Sequence, residues 1–473
     1  MKLINRNVVW SALEAGGAAV FSVTSAFLVA RLIGPFELGI GAAIVAVHVL
    51  LWVAVNSLFA DAIVQRAQMD ADVLSSAVWA ATAVGVLAMP VQIGMGWLLA
   101  ELMDDPRLLA MAIVLAAPLP FVGMGGALQG KLTRERRYRI LAARTLIGQG
   151  VGMVTGIAFA LQHAGAWAPV AQQAVVSAIS AGVLIAAAGW RPAAMFDQTH
   201  VRALLRTGLP LTASTLVQIG RYRVFALLIG ATSGPAALGQ VHIAFRLVDT
   251  LREITFTALW RLLLPILSEH QHDRAAILTR VDRLTRLSSW VTMPVCGALL
   301  ISLVPFTTLI LGPMWREAGE AALPLAGLMA LLALMFPSGV ALIAMGMARF
   351  TLYANLAGVA ATVVFVLAFG PDSPWPAVLV WCAAQLFVSP FSLWVNGRAL
   401  GVGPLRPLRD GVPALLVTAL AVTLASLLDD AGSFESLARR GAVFTAVPGV
   451  YAGARFWGAR VWRIPAAEVD VAR

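Results

Sequence analysis

Long stretches of this sequence are nearly free of charge, and that constrains the fold more than any other feature. A helix needs about 20 mostly apolar residues to cross the hydrocarbon core of a bilayer. Such stretches recur near 8–30, 40–60, 75–100, 108–130, 142–161, 169–190 and 206–230. Seven more lie near 237–260, 288–311, 321–346, 351–370, 376–397, 411–428 and 439–458. The most polar of them is 237–260, which holds Arg246, Asp249, Arg252 and Glu253. In lipid a backbone must satisfy its own hydrogen bonds, so stretches of this length are helices. The pattern predicts an all-α polytopic membrane protein with about fourteen transmembrane helices. Composition supports this. Of 473 residues 60% are hydrophobic and 12% charged, against about 25% charged in a soluble domain. A soluble fold of this composition would expose large apolar patches. No stretch is long and polar enough for a separate soluble domain.

The net charge of +10 does not point to nucleic acid. The basic residues fall in small groups between apolar stretches, the pattern of topology signals and of contact with anionic lipid headgroups. With the N-terminus cytoplasmic and the spans alternating, nearly all Lys and Arg outside the spans face the cytoplasm. Only Arg31, Arg107, Arg316, Arg439 and Arg440 fall outside. Removing one span would turn every later basic loop outward, so the asymmetry supports the count, the orientation and a cytoplasmic location for both termini. Lys2 and Arg6 before an apolar run resemble the start of a signal peptide. The run Val8 to Ala30 is too long for one, and Arg31 to Pro35 is a poor cleavage site, so the segment reads as a retained helix. The basic run Lys131 to Arg144 is assigned to topology and headgroup contact. Arg455, Phe456, Trp457, Arg460, Trp462 and Arg463 read as an interfacial anchor. The longest loop, Arg261 to Ser289, is expected to be cytoplasmic and amphipathic.

Several chemistries are not supported. Cys296 and Cys382 both sit in apolar stretches, and the six His show no ligand spacing, so neither a disulfide framework nor a metal site is expected. There is no Gly-rich phosphate loop with its Lys and Ser/Thr, and no nucleophile, His and carboxylate share a loop. The outer loops are too short for a catalytic domain. The chain is therefore expected to be no enzyme and to need no cofactor. Any transport would draw on an ion gradient, the membrane potential or consumption of product outside.

The sequence also repeats itself. Leu32-Ile33-Gly34-Pro35-Phe36-Glu37-Leu38-Gly39 follows the first span, and Leu228-Ile229-Gly230 then Pro235-Ala236-Ala237-Leu238-Gly239 follow the seventh. In both places Pro-x-x-Leu-Gly opens the next helix, and Pro suits a first helical turn, where its missing N–H would be unpaired anyway. A six-helix offset preserves orientation, so the halves would be related by an axis along the membrane normal. Transporters use such repeats, with the substrate path between halves.

The segment Val29 to Gly39 resembles the first-loop signature of the bacterial polysaccharide flippase family, a branch of the superfamily that includes multidrug exporters and the lipid II flippase. Asp61-Ala62-Ile63-Val64-Gln65-Arg66 resembles the close of that family's second helix. Ala127-Leu128-Gln129-Gly130-Lys131, with Arg136-Arg137-Tyr138, resembles the end of the fourth. Leu238-Gly239, Arg246-Leu247 and Leu264-Pro265-Ile266-Leu267-Ser268 resemble the eighth helix and its exit. The similarity covers roughly residues 1–400. It implies two six-helix lobes, 1–200 and 201–400, around a cavity that opens alternately to each side, with two extra helices and a tail in 401–473. It implies a flippase in the bacterial inner membrane that moves undecaprenyl-pyrophosphate-linked oligosaccharide repeat units outward for exopolysaccharide, capsule or O-antigen. A polysaccharide polymerase and a chain-length regulator would be its partners. Two departures bear on substrate and ion coupling. Arg221-Tyr222-Arg223 stands where the family often has an acid, and Val241 where it often has a Tyr. The alternative is an ion-coupled drug or metabolite antiporter of the same superfamily.

An ionisable group inside a span is costly and usually faces the bundle interior or a wet cavity. His242, Arg246, Asp249 and Glu253 are spaced 4, 3 and 4 along the eighth span, on one helical face. They read either as a polar cavity wall or as an intrahelical ion-pair ladder. Ser214, Gln218 and Arg221 share a face of the seventh span, with Arg223 turned elsewhere. A pyrophosphate needs cations in a low-dielectric cavity, and the planar guanidinium fork can hold its oxygens bidentately. Arg221 and Arg246 are the first candidates for substrate binding; Arg223 and Arg252 follow. Glu14, Asp249 and Glu253 are candidate coupling or cavity acids, or partners that hold an arginine in place.

Overall fold

The computed structural model describes residues 2–66, 69–189, 192–269, 273–403, 405–428 and 434–461. Arg191, Trp462, Arg463 and Arg473 lie outside the described residues. Helices are α1 (Lys2–Gln65), α2 (Ala71–Met103), α3 (Arg107–Ala116), α4 (Leu119–Arg134), α5 (Tyr138–Leu161), α6 (Trp167–Ala187), α7 (Gln198–Thr232) and α8 (Gly234–Ser268). They continue as α9 (Arg274–Phe306), α10 (Arg316–Ala344), α11 (Ala348–Phe369), α12 (Pro374–Leu400), the short α13 (Arg406–Arg409), α14 (Val412–Ser426) and α15 (Phe434–Val461). The described residues are all-α, and each of the fourteen apolar stretches falls mainly in helix. Large apolar side chains stand exposed along the spans, Leu87, Val154 and Phe387 among them, as lipid-facing surfaces require.

Among the described residues eight helices are long and apolar enough to cross a membrane, and α1 contains two predicted spans. Two shorter apolar helices, Tyr353–Phe369 and Val412–Ser426, accompany them. Helices α7 and α8 fall short of that hydropathy because Arg221, Arg223, Arg246, Asp249, Arg252 and Glu253 interrupt them.

The break inside α1 has a local cause. Gly34 adopts φ 78°, ψ 172° and ends the first span. Pro35 then opens the second, where its missing N–H costs nothing. Gly234 takes φ 82° immediately before Pro235. The structural equivalent of Gly34 is therefore Gly234, not the Gly230 suggested by the Leu-Ile-Gly match, because α7 runs on past Gly230 to Thr232. The two copies also touch reciprocally. A Cβ on Gly39 would overlap the Pro235 carbonyl oxygen, and a Cβ on Gly239 would overlap that of Pro35. The repeat read from sequence is one close helix crossing, with each copy's glycine lying against the other copy's proline carbonyl.

The chain divides into two compact bodies. The first comprises Met1–Arg246, Ile310–Ala321 and Leu352–Val388. In it α1 packs on α4, α5 and α7, and α2 on α3 and α4. Phe59, Ile63, Ala77, Val78, Ala81, Ala127 and Leu128 form a core. Helix α4 comes close because small residues face its neighbours: a Cβ on Gly123 would overlap the Ala81 carbonyl, and one on Gly126 that of Asn56.

The second body comprises Leu247–Leu309, Ala322–Thr351 and Ser389–Arg473. The segment 261–289 is not a long loop. Helix α8 continues to Ser268 and α9 starts at Arg274. The amphipathic pattern is helical because Leu263, Leu267, Ile277 and Val281 bury with Leu259, Ala341 and Leu400. Helices α14 and α15 pack on α9 through Ile301, Ala421, Ala425 and Phe444. Arg406 pairs with Asp282 at 2.7 Å and Arg286 with Asp410 at 3.0 Å, tying α9 to the start of the last helices.

Candidate functional site

The Pro35 end of α1's second span is built on a glutamate that composition gives no reason to single out. Glu37 sits in the first turn after Pro35. Its carboxylate accepts from both Arg107 guanidinium nitrogens at 3.1 Å and from the Ala166 backbone N–H at 2.7 Å. Arg107 also donates to Asp105 at 2.7 Å. The Arg107 hydrogen bond holds the Asp105 carboxyl below its usual range, and the two acids push the Arg107 guanidinium upward. Gly165, at φ 57°, lies against Glu37, where a side chain would collide with the carboxylate. One carboxylate thus ties α1 to the loops before α3 and α6. Arg31, near the end of α1's first span, donates to the Ile310 carbonyl at 2.6 Å.

Four of the seven candidate residues lie in the first body: Glu14, Arg221, Arg223 and Arg246. The Arg246 guanidinium on α8 donates to the Ser22 hydroxyl on α1, with a short contact. Arg221 on α7 reaches a different pair of helices. Its Nη1 donates to Gln385 Oε1 at 3.0 Å, and its guanidinium lies 5.5 Å from the Trp381 ring centre. Gln385 in turn donates to Thr362 at 3.2 Å, so this arginine lies among α11 and α12 side chains. Arg223 lies 5.5 Å from the Tyr222 ring. Tyr222 meets His242 Nδ1 at 3.1 Å and packs on Phe245, and Phe225, Phe245 and Trp381 meet one another in tilted and edge-to-face contacts.

Glu14 accepts from Thr145 on α5 at 2.7 Å. Beside it, Arg144 donates to Gln129 at 2.8 Å, and Asn56 donates to the same oxygen at 3.2 Å. The sequence pattern groups Arg144 with the basic run Lys131 to Arg144. It belongs instead to the second turn of α5, where its guanidinium enters a polar network of α1, α4 and α5 side chains. The signal was present, since Tyr138 starts an apolar helix and Arg144 lies inside it. Nothing in the sequence marks Ser22 or Gln385.

The remaining candidates lie in the second body. Arg252 Nε donates to Asp249 Oδ1 at 2.8 Å, one turn apart, and Glu253 is exposed. The self-satisfied ion pair therefore exists for Asp249 and Arg252. Among the described residues no cluster of three His, Cys, Asp or Glu could hold a metal ion. What these spans offer chemically is hydrogen-bonded guanidinium groups, a chemistry suited to holding an anion.

Comparison with known proteins bears on what such a scaffold is. The chain is 22% identical over 331 residues to the succinoglycan biosynthesis transport protein ExoT of Rhizobium meliloti (strain 1021). That match covers 70% of this chain and 66% of the relative, so it spans just under two thirds of the relative's length. The fold is similar to that of the lipid II flippase MurJ in an inward closed conformation, with TM-score 0.79 at 12% identity, over 96% of this chain and 100% of that one. It is also similar to an inward-facing multidrug resistance MATE family transporter of the MOP superfamily, with TM-score 0.57 at 12% identity, over 87% and 96% of the two chains. At such identities these likenesses speak to fold. Residues 28–320 match the profile of the polysaccharide biosynthesis proteins, and with well over half its length inside that match this multi-helix membrane protein belongs to that family.

Proposed function

We propose that the protein is a flippase for lipid-linked oligosaccharides, carrying undecaprenyl-pyrophosphate-linked repeat units from the cytoplasmic to the outer leaflet of a bacterial inner membrane. Family membership, the ExoT similarity and the MurJ-like fold support the transport class. The observation that carries the substrate reading is Arg246. It is a cation inside a spanning helix, and its guanidinium meets the Ser22 hydroxyl on α1. A permanent cation there costs several kcal/mol, a cost that binding of a pyrophosphate would offset.

In this reading the lobes 1–200 and 201–400 rock about the substrate, with 401–473 added at the side. Arg246 takes the pyrophosphate. Arg221, Arg223 and Arg252 add positive potential or position it, and Glu14, Asp249 and Glu253 hold the arginines or couple an ion. Both termini stay cytoplasmic. A polymerase and a chain-length regulator act on the delivered units outside. The antiporter alternative draws support from the MATE-like fold and from Glu14 beside Thr145.

Complementation tests the function. In a strain lacking its polysaccharide flippase, the chain is expected to restore surface polymer and to clear lipid-linked repeats from the cytoplasmic leaflet. No rescue in several such strains at normal membrane levels, with resistance in a pump-deleted host, would favour the antiporter.

A further inference from the structure

The second body carries an aromatic shelf just past the charged residues of α8. Phe256 of α8 and Phe336 of α10 stack with ring centres 4.8 Å apart and planes 8° from parallel. Trp260, one turn further along α8, meets Phe336 at 6.3 Å and 59°. The three rings pack on the core of Leu259, Leu263 and Val340, and each stays half-exposed. Their open surface is turned away from lipid. Leu251, Ile254 and Leu262 are the exposed apolar residues of this stretch, and they project roughly 120–180° round α8 from Phe256 and Trp260. Asp249, Arg252 and Glu253 share the side of the rings, one to two turns before Phe256. Charged residues in a span border a wet cavity or protein, not hydrocarbon. Further along α8 the same side closes, since Leu263 and Leu267 are buried. The shelf therefore stands where the open, charged side of α8 ends against packed core.

This combination suits a sugar. A pyranose ring offers apolar C–H faces that lie flat on aromatic rings, and a rim of hydroxyls that donate to carboxylates. The rings supply the first surface. Exposed Glu253 and Asp249, which Arg252 holds at 2.8 Å, supply the acceptors. A hydrocarbon tail would leave those charges unused. An organic cation would suit the rings, but it would face Arg252 and, by the periodicity of α8, Arg246 as well.

We propose that Phe256, Trp260 and Phe336 form the subsite for the sugar rings of the transported lipid-linked oligosaccharide, with Glu253 and Asp249 accepting from its hydroxyls. Phosphate and sugar are then recognised by separate parts of α8. Arg246 holds the carrier's pyrophosphate, and the shelf favours a carrier that bears its oligosaccharide. This inference rests on the flippase reading and deepens it.

The test uses the full-length protein in nanodiscs with two probes. One is bare undecaprenyl pyrophosphate; the other is the same lipid bearing the oligosaccharide repeat unit of a strain whose flippase the protein replaces. The wild type is expected to bind the glycosylated lipid more tightly. Trp260→Leu and Phe336→Leu are each expected to weaken that binding roughly tenfold and to leave the bare lipid unchanged. Arg246→Gln is expected to weaken both. If the wild type binds the two lipids alike, or if both shelf variants keep full affinity for the glycosylated lipid or weaken both lipids equally, the sugar subsite is overturned and the flippase reading stands. Loss of ethidium binding in the shelf variants, with the glycosylated lipid unaffected, would assign the shelf to a cationic drug instead. If the protein replaces no flippase and binds neither lipid, the flippase reading fails and the subsite falls with it. Melting temperatures report folding, and if one shelf variant does not fold, the other decides.

Discussion

At the scale of residues, the same side chain has been placed in different surroundings. Arg221 is braced by Gln385 and Trp381, whereas Arg246 crosses to a serine on the first helix. Arg246→Ala is therefore expected to abolish export at normal protein levels, with a loss of about 2 kcal/mol or more in head-group binding, roughly thirtyfold. Arg221→Lys keeps the charge but loses the planar contact with Trp381, and it should lower the melting temperature more than it lowers binding. Full export by the double variant Arg221→Ala, Arg246→Ala would remove the proposed site. The Glu37 cluster makes a separate prediction. Arg107 is 39% exposed, so solvent screening limits the cost of Glu37→Gln to about 1–2 kcal/mol. The pH dependence follows from Asp105. Its folded pKa is depressed by Arg107, so its contribution is present above the ordinary value of 3.8 and is lost as pH falls below that toward the folded value. Melting temperature measured from pH 6 downward should drop at the acid end, and Asp105→Asn should flatten that drop.

At the scale of elements, the informative feature is the crossing of the two Pro-x-x-Leu-Gly copies. Each glycine lies against the other copy's proline carbonyl, so the two helices meet backbone to backbone. Gly39→Ala or Gly239→Ala forces a methyl group into that contact and should cost about 1–3 kcal/mol of stability. If the crossing also closes the outer side during transport, both variants will admit a membrane-impermeant thiol reagent to cysteines placed below it. Unchanged labelling and unchanged melting would show that the crossing yields freely. Helices α14 and α15 make a simpler case. Phe444 is buried among Ile301, Ala421 and Ala425, so Phe444→Ala should destabilise the second body by about 3 kcal/mol, read as a lower melting temperature.

At the scale of the whole molecule, the positive-inside pattern fixes an expected orientation that chemistry can check. A cysteine replacing Arg439 should react with an impermeant reagent from outside the cell. One replacing Arg283 should react only after the membrane is opened. The reverse result would turn the molecule over and with it the proposed direction of transport.

Much of the architecture was legible in the chain because the bilayer imposes a coarse rule. A span must be long, apolar and helical, so the stretches of low charge located the helices of this fold, including the charged eighth span. The kink at Gly34-Pro35 was legible for the same kind of reason, since only glycine enters that backbone region freely and proline suits a helix start. The contacts of the candidate residues were not legible. Periodicity shows that Arg246 and Asp249 share a face, but not that Arg246 reaches Ser22 on another helix or that Asp249 is taken by Arg252. It likewise placed Arg144 with the cytoplasmic run when its guanidinium belongs to Gln129. Helix formation depends on local hydrogen bonds and on average hydrophobicity, which a sequence carries in full. The partner of a buried polar side chain depends on which faces of distant helices are pressed together, and that was decided only when small residues such as Gly39, Gly126 and Gly239 let the backbones approach.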